Sequence, residues 1–487
     1  MRSLRLVALL ALPAQLAFAQ QNPAGAGADL TLDQAIQTAQ QNNPLHLQTK
    51  NNVRTAEAQV RVARGALLPT AQASANSRYT QSGTQYQFGL GFPTQASYSS
   101  SYGLSVNYNI SAGLAFAPKV AKANRTAAEA DVTSSAELVR ATVTQQYITA
   151  VQAEATAAVL DTLVQVAQGQ LDLANAKMAV GAGTIIDVRT AEVAVGQAQV
   201  NALTAHNTAR VNKLQLFQTM GVPADIDAHL VTEFPVAQPT FRLDSLLDLA
   251  RRVNPDVAAK KSREAAAQAN VQLARTNYLP TLSLSTGYFA NAFGYGDNNY
   301  LPSQALQDQA SKFSNCMFLD SLRSGAGLPT TSCGSPTLSA SELSAIRGRN
   351  QPFNFTKSPF NVSAFISVPV FNGFQREQTI EQNRVARDNA EMDLRSRNLQ
   401  LTTDVTQAYL NLVTAAKTTE LQNQIAAKAA EDLALNQESY KVGAKTFLDV
   451  TTARATYEQA EINRVNAVYE YHKAFATLEN AVGRPLR

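Results

Sequence analysis

The sequence is poor in the residues and motifs that build catalytic and metal sites. It contains only two cysteines and four histidines, and it carries no G-x-S-x-G, P-loop or H-E-x-x-H motif. The stretch DIDAH groups Asp225, Asp227 and His229, but it lies in a proline-containing connection and is interpreted as a polar loop. The sequence therefore predicts no enzyme, no metal site and no cofactor.

The excess of one sign of charge over the other is also small. Lysine and arginine total 41, aspartate and glutamate total 37, and the formal net charge is +4. Arg2 and Arg5 precede a short apolar run that ends in Ala-Phe-Ala, which is typical of a secretory signal peptide over residues 1–19. Loss of these two arginines would take the charge from +4 to +2. This near-neutral balance does not favour nucleic acid as a partner.

Long hydrophobic runs are missing beyond the predicted signal peptide. No run of 18 apolar residues follows it, so no membrane-spanning helix is expected. If the exported chain enters a membrane, we expect it to do so as a β-barrel, in which the backbone groups pair with one another. An even pair of cysteines in an exported protein is usually a disulfide, which predicts a Cys316–Cys333 bridge.

What the sequence does contain is an internal repeat. LDQAIQTAQQNNP recurs as LDSLLDLARRVNP 211 residues later, and VTQQYITAV recurs as VTQAYLNLV 262 residues later. These collinear matches predict a duplicated chain, with one repeat over 20–230 and the other over 231–487. The offset grows because the second repeat carries an insertion rich in Ser, Asn, Gly and Pro. This insertion, at about residues 291–358, is interpreted as a long external loop.

Each repeat also contains a predicted pair of β-strands, over about 70–110 in the first and about 281–370 in the second. In SYGLSVNYNI, TLSLSTGY and FNVSAFISVPV, apolar residues alternate with small or polar residues. One apolar and one polar face over roughly ten residues is typical of a transmembrane β-strand. A soluble hairpin with one buried face is the alternative.

Four strands are too few to close a barrel within one chain. Open edges in lipid leave unpaired N–H and C=O groups, and each such group costs several kcal/mol. Closure therefore requires further copies of the chain. Three copies would give twelve strands, an even number in the usual range, although the strand count alone does not fix the number at three.

Two very long helices are predicted as well. Residues 119–180 and 375–441 contain no proline, and each would form a helix about 90–100 Å long. That length is about three times the thickness of a bilayer core, so the helices are expected to project into an aqueous space. Apolar residues between Val468 and Val482 follow the 3-4-3-4 spacing of a coiled coil.

Each long helix runs into a turn of nearly the same sequence, VGAGTIIDV or VGAKTFLDV. The first glycine of each can adopt the left-handed conformation that ends a helix. The T-x-x-D spacing that follows is the spacing of a capping box, which begins the next helix. The sequence thus predicts two helical hairpins with tips at 181–187 and 443–449.

With these turns, the chain resembles the TolC-like outer membrane efflux protein family. The resemblance is carried by the doubled L-D…N-P opening, the L-P before each strand pair, VFNGFQ after the last strand and the two turns. It implies a homotrimer with a 12-stranded β-barrel in the outer membrane, four strands from each chain, continuous with an α-helical coiled-coil tunnel across the periplasm. Such a channel passively conducts solutes or proteins.

The resemblance also implies partners and functional residues. Inner-membrane pumps and periplasmic adaptor proteins deliver the substrates, and adaptors dock at the tips, here Gly181 and Gly443. The entrance closes by links between tips, to which Tyr440, Lys445 and Asp187 correspond by position. Lysine at 445 replaces the more usual arginine, which loses a bidentate fork.

An acidic ring is expected at the same entrance. Asp449 corresponds to one ring of carboxylates, whereas Thr452 occupies the position of a second, so one ring is expected. A helix cap alone is the favoured interpretation of Asp187, whereas Asp449 is expected to serve both as a cap and in the ring. Ordinary packing between helices is the alternative for Tyr440.

A structural alternative is a trimeric outer-membrane adhesin with a barrel anchor and a coiled-coil stalk. The sequence does not identify the cargo. Multidrug efflux, metal efflux and type I secretion all remain open.

Overall fold

The computed structural model describes residues 29–232, 234–236 and 240–486. The predicted signal peptide lies outside these residues. The chain divides into two compact units. One takes the described residues of 1–57, 123–267 and 386–487, and the other takes 58–122 and 268–385.

Helices dominate the structure and recur in matching order. α1 and α5 each have 11 residues, α2 and α6 have 22 and 21, α3 and α9 have 68 and 67, and α4 and α10 each have 36. Two further helices, α7 and α8, lie between α6 and α9. The bounds are α1 (Leu32–Asn42), α2 (Pro44–Gly65), α3 (Ala112–Ala179), α4 (Ile185–Met220), α5 (Leu243–Val253), α6 (Pro255–Arg275), α7 (Tyr300–Gly325), α8 (Ala340–Arg349), α9 (Gln375–Lys441) and α10 (Phe447–Val482). Each helix in the described ranges is either too short or too polar to span a bilayer.

The repeated Asn-Pro pairs make equivalent contacts. The Asn43 side-chain oxygen accepts from the backbone N–H of Leu45 and His46 and so caps α2, while its amide donates to the Thr219 carbonyl of α4. Asn254 likewise caps α6 and donates to the Ala481 carbonyl of α10. Proline follows each asparagine in the first helical turn, where its missing N–H costs nothing. The motif therefore begins one helix and ties it to the end of another.

Four long strands form one antiparallel sheet in the order β2-β5-β7-β9. A two-residue strand, β8, pairs with the far end of β7. β9 ends at Ser367, short of the predicted 370, since Pro369 has no N–H for the ladder. The bounds are β1 (Asp29–Leu30), β2 (Thr70–Thr80), β3 (Gly83–Gln87), β4 (Leu90–Thr94), β5 (Ser97–Ser111), β6 (His229–Leu230), β7 (Thr281–Tyr295), β8 (Thr356–Lys357) and β9 (Asn361–Ser367).

The register of this sheet separates two faces, and the predicted alternation is confirmed. Leu104 pairs with Tyr288 on one face, and Asn107 pairs with Ser285 on the other. We call these the apolar face and the polar face. Among the described residues, β2 and β9 each pair with a neighbour on one side only, so both edges of the sheet are open.

The segment between β7 and β9 differs from the structureless loop that its composition suggested. β7 continues to Tyr295, and the segment that follows contains α7 and α8. Ser339 and Glu342 form a capping box at the start of α8, a local signal that the high Ser and Gly content obscured. Cys316 of α7 is joined to Cys333 by a disulfide with a Cα–Cα distance of 5.6 Å.

Two similar cores hold the long helices together. In one, Ala35 and Ala39 of α1 pack against Val143 and Tyr147 of α3 and against Leu216 of α4. In the other, α5 packs in the same way against α9 and α10. The buried residues of this second core include Leu246, Ala250, Leu401, Val405, Tyr471, Phe475, Leu478 and Val482. The predicted seam along α10 is therefore buried between helices from Tyr471 to Val482, while Val468 is half-buried.

Candidate functional site at the hairpin tips

Both predicted turns have the same backbone geometry. Gly181 has φ 73° and Gly443 has φ 79°, in the left-handed region that favours glycine. Behind the first, the N–H of Gly181 donates to the Met178 carbonyl at 3.0 Å and the N–H of Ala182 donates to the Lys177 carbonyl at 2.9 Å. At the second tip, the N–H groups of Gly443 and Ala444 donate the equivalent pair of bonds. This pattern, the Schellman motif, ends α3 and α9 and reverses the chain.

Capping boxes then begin α4 and α10, as the T-x-x-D spacing predicts. The N–H of Thr184 donates to the Asp187 carboxylate at 3.1 Å, and the N–H of Thr446 donates to the Asp449 carboxylate at 2.8 Å. The pKa of Asp449 is lowered, first by this backbone N–H, then by the Thr446 hydroxyl and the nearby charge of Lys445. Both aspartates therefore complete capping boxes, and the lowered pKa keeps Asp449 ionised at neutral pH.

Tyr440 lies in a buried cluster that joins the two tips, which we call the tip cluster. Its members are Ala174 of α3, Val188 and Ala191 of α4, Leu433 and Tyr440 of α9, and Phe447, Val450 and Ala453 of α10. The rings of Tyr440 and Phe447 lie 5.7 Å apart. Burial raises the pKa of the Tyr440 phenol, and the Asp187 carboxylate raises it further. The phenol oxygen is buried and has no hydrogen-bond partner among the described residues.

Lys177 is the residue of this site that the sequence did not reveal. Its ammonium lies 3.9 Å from the centroid of the Tyr440 ring, and it donates a hydrogen bond to the Tyr440 carbonyl. The lysine thus binds the first hairpin to the second through a cation–π contact and a charged hydrogen bond. The only signal in the sequence is a basic residue in the last turn of α3, where lysine is also favoured by the helix dipole.

Lys445 differs from Lys177 in its surroundings. Its side chain is exposed, and the structure describes no ion pair for it within the chain. At the predicted position of a second acidic ring, the Thr452 hydroxyl donates to the Leu448 carbonyl at 2.9 Å. A role for Lys445 in closing the entrance stays a prediction, and so does a single ring of Asp449 carboxylates.

Apolar side chains are exposed at equivalent positions of the two tips. Val180 and Val442 precede the glycines and are 78% and 80% exposed. Ile186 and Leu448 follow the turns and are 72% and 73% exposed. Apart from the glycine and its two chain neighbours, no atom of the described residues lies within 4 Å of the position that a Cβ would take at Gly181 or Gly443. Each tip therefore presents an open surface with an apolar residue on either side of the turn.

Metal-binding groups are not assembled in the part of the chain that the structure describes. No cluster of three or more His, Cys, Asp or Glu is placed to hold an ion there. In the DIDAH stretch, the Asp225 carboxylate accepts the N–H of Asp227 at 3.0 Å, which is a turn contact.

The chain is similar to known outer membrane proteins in sequence. It is 24% identical over 318 residues to the outer membrane protein TolC of Vibrio cholerae, a match covering 64% of this chain and 60% of that protein. It is 26% identical over 281 residues to the toluene efflux pump outer membrane protein TtgF of Pseudomonas putida, a match covering 53% of each. The chain thus spans about half to three-fifths of the length of these relatives.

The fold is similar to solved structures over nearly the whole chain. The outer membrane protein VceC of Vibrio cholerae matches with a TM-score of 0.66 at 16% identity, over 94% of this chain and 97% of that one. The campylobacter channel CmeC, from Campylobacter jejuni, matches with a TM-score of 0.68 over 93% of this chain and 85% of that one, also at 16% identity.

A model of the outer membrane efflux protein family matches residues 35–222 and 332–484, which include both hairpins and both tips. Since these ranges make up most of the chain, the protein belongs to the outer membrane efflux protein family, whose members are transport proteins of the outer membrane and not enzymes.

Proposed function

We propose that three copies of the chain form a passive channel from the periplasm to the exterior. The observation that carries this proposal is the four-stranded sheet, with one apolar face, one polar face and two open edges. An open edge in lipid leaves backbone groups unpaired, at several kcal/mol for each group. Pairing β2 of one copy with β9 of the next would satisfy both edges, and three copies would close a barrel of twelve strands.

Aromatic residues on the apolar face support its contact with lipid. The rings of Tyr79 and Tyr98 lie 5.0 Å apart, and those of Tyr102 and Phe355 lie 4.7 Å apart. Tyrosine and phenylalanine are enriched where a barrel wall meets the headgroups of the bilayer. These pairs lie toward the end of the sheet at which β7 continues into α7. That end is proposed to face the exterior, and the Cys316–Cys333 segment with it.

The paired helices supply the periplasmic part of the proposed channel. Matching lengths of α3 and α9, and of α4 and α10, support a chain built by duplication, with two equivalent hairpins per copy. Three copies would contribute six hairpins to a tunnel. We propose that the tips form its gate, with Tyr440, Lys445 and Asp187 in the links and Asp449 in an acidic ring.

The exposed apolar side chains at the tips support docking of a periplasmic adaptor protein there. Val180 and Val442 would contact the partner, while Gly181 and Gly443 leave room for its backbone. An adaptor of this kind would connect the channel to an inner-membrane pump. Docking would replace contacts within the tip cluster and so open the gate.

Two experiments test the proposal. Purified full-length protein is expected to be a trimer. In planar bilayers it is expected to give discrete conductance steps, and the absence of such steps would refute the channel. A deletion strain is expected to become sensitive to dyes and detergents. Lost adherence with normal sensitivity would instead support the adhesin alternative.

A further inference from the structure

The polar face of the sheet is almost free of charge. On the four long strands β2, β5, β7 and β9, the register places one charged residue on this face, Arg78, opposite Ser99. Apart from a few aromatic residues, all other residues on the polar face of these strands are Ser, Thr, Asn, Gln or Gly. These strands contribute no carboxylate to it. The proposed pore wall is therefore wet and hydrogen-bonding, but nearly neutral.

Aromatic rings interrupt this neutral wall. Phe289 pairs with Gly103, Phe293 with Ser99, and Phe365 with Ser283, all on the polar face. Phe289 and Phe293 are separated by about 13 Å along the strand at 3.3 Å per residue. The three side chains are 38%, 56% and 66% exposed, so each presents ring surface on the side assigned to the pore.

Phe289 is held in a defined position. A Cβ at Gly103 would lie 2.3 Å from Cδ1 of the Phe289 ring, and a Cβ at Gly287 would lie 2.5 Å from its Cε2. The ring therefore occupies the space above two glycines, which is free only because neither has a side chain. Packed along the sheet in this way, the ring is restrained and leaves surface exposed toward the pore.

We propose that the pore wall carries stacking positions for uncharged, planar aromatic solutes, of which Phe289 above Gly103 and Gly287 is the principal one. This inference rests on the proposed channel and names a substrate class for it. A restrained ring stacks with an aromatic solute at little entropic cost, since it is already ordered. The surrounding amides and hydroxyls offer hydrogen bonds to the polar groups of the solute, and the near absence of charge gives no preference for ions of either sign.

The test uses full-length protein in planar bilayers and two neutral probes of similar size. Benzamide has an aromatic ring, whereas cyclohexanecarboxamide has the same amide on a saturated ring. Benzamide is expected to reduce the conductance at a lower concentration than cyclohexanecarboxamide does. Phe289→Ala is expected to raise its half-blocking concentration about two- to tenfold, the range that aromatic pairs provide. The cyclohexane probe is expected to show no such change.

Tyr288→Ala is the matched control, because Tyr288 is the adjacent aromatic residue on the apolar face. It is expected to leave the half-blocking concentration of benzamide unchanged. Phe289→Leu keeps most of the bulk and covers the case in which the alanine variant does not assemble. Equal block by the two probes, or an unchanged response in both Phe289 variants, would overturn the stacking site while leaving the channel intact. Wild-type protein without any conductance would overturn the channel and this inference with it.

Discussion

The contact between Lys177 and Tyr440 gives the sharpest prediction for the gate. Lys177→Met keeps an unbranched side chain of similar length but removes the ammonium. The variant loses the cation–π contact at 3.9 Å and the hydrogen bond to the Tyr440 carbonyl. These interactions bind α3 of the first hairpin to α9 of the second. Without them, the closed arrangement of the tips is expected to be less stable.

The size of this effect follows from the position of Lys177. A cation–π contact contributes roughly 0.5–2 kcal/mol, depending on its exposure to water. The lysine is partly buried, so we expect about 1–2 kcal/mol for the contact and the hydrogen bond together. At about 1.4 kcal/mol for each factor of ten, the ratio of open to closed tips rises about 5- to 30-fold.

Single-channel recording in planar bilayers measures this change as a higher open probability or a larger conductance. Lys428→Met is the matched control, because this lysine of α9 is highly exposed and, among the described residues, forms its ion pair with Glu431 of the same helix. A Lys177→Met channel that behaves like the wild type and the control would refute the role of this contact in closing the entrance. Lys445→Met tests the exposed lysine separately.

Three further predictions concern the turns, the caps and the disulfide. Gly443→Ala is expected to destabilise its tip by about 1 kcal/mol, because alanine must adopt a positive φ. Gly169→Ala, within α3 and with open space around it, is expected to stabilise the helix by about 1 kcal/mol. Amide hydrogen exchange measures the change in stability for both variants. A change of the same sign and size in the two would contradict the assignment of the turn. Because the pKa of Asp449 is lowered, its cap is present above the ordinary aspartate pKa and is lost as the pH falls through the lowered value. The protection factor for amide exchange at the start of α10, which corrects for the intrinsic pH dependence of exchange, is therefore expected to fall below about pH 4, and Asp449→Asn should remove that pH dependence. Cys316→Ser opens a link spanning 17 residues, so the segment between α7 and α8 is expected to lose about 3 kcal/mol against local unfolding and to be cleaved faster by protease. Channel conductance should stay unchanged, and a large change would give the disulfide a role in gating.

The hairpin tips were predictable because they depend on short-range interactions. The glycine that needs a positive φ and the T-x-x-D capping box lie within seven residues of each other in Gly181–Asp187. The two faces of the sheet were also predictable, because successive side chains of a strand point to opposite faces. In both cases the residues that form the structure are neighbours in the chain.

The contact between Lys177 and Tyr440 was not predictable, because it joins residues 263 positions apart. Only the packing of the two hairpins brings the ammonium onto the ring. The position of the Phe289 ring beside Gly103 of β5 and Gly287 of β7 was not predictable either, because it depends on the register between these two strands. The helices α7 and α8 were missed for another reason. A composition rich in Ser and Gly outweighed the local capping signal of Ser339 and Glu342.

The nearly equal lengths of the two hairpins limit how this protein can change its reach. Since the tips share one buried cluster, shortening α9 alone by four residues would withdraw its tip by about 6 Å and separate Tyr440 from Lys177. Compensating deletions in α3, α4 and α10 would be needed to bring the tips together again. A lineage that adapts to a narrower or wider periplasm therefore has to edit both hairpins together, in steps of similar size.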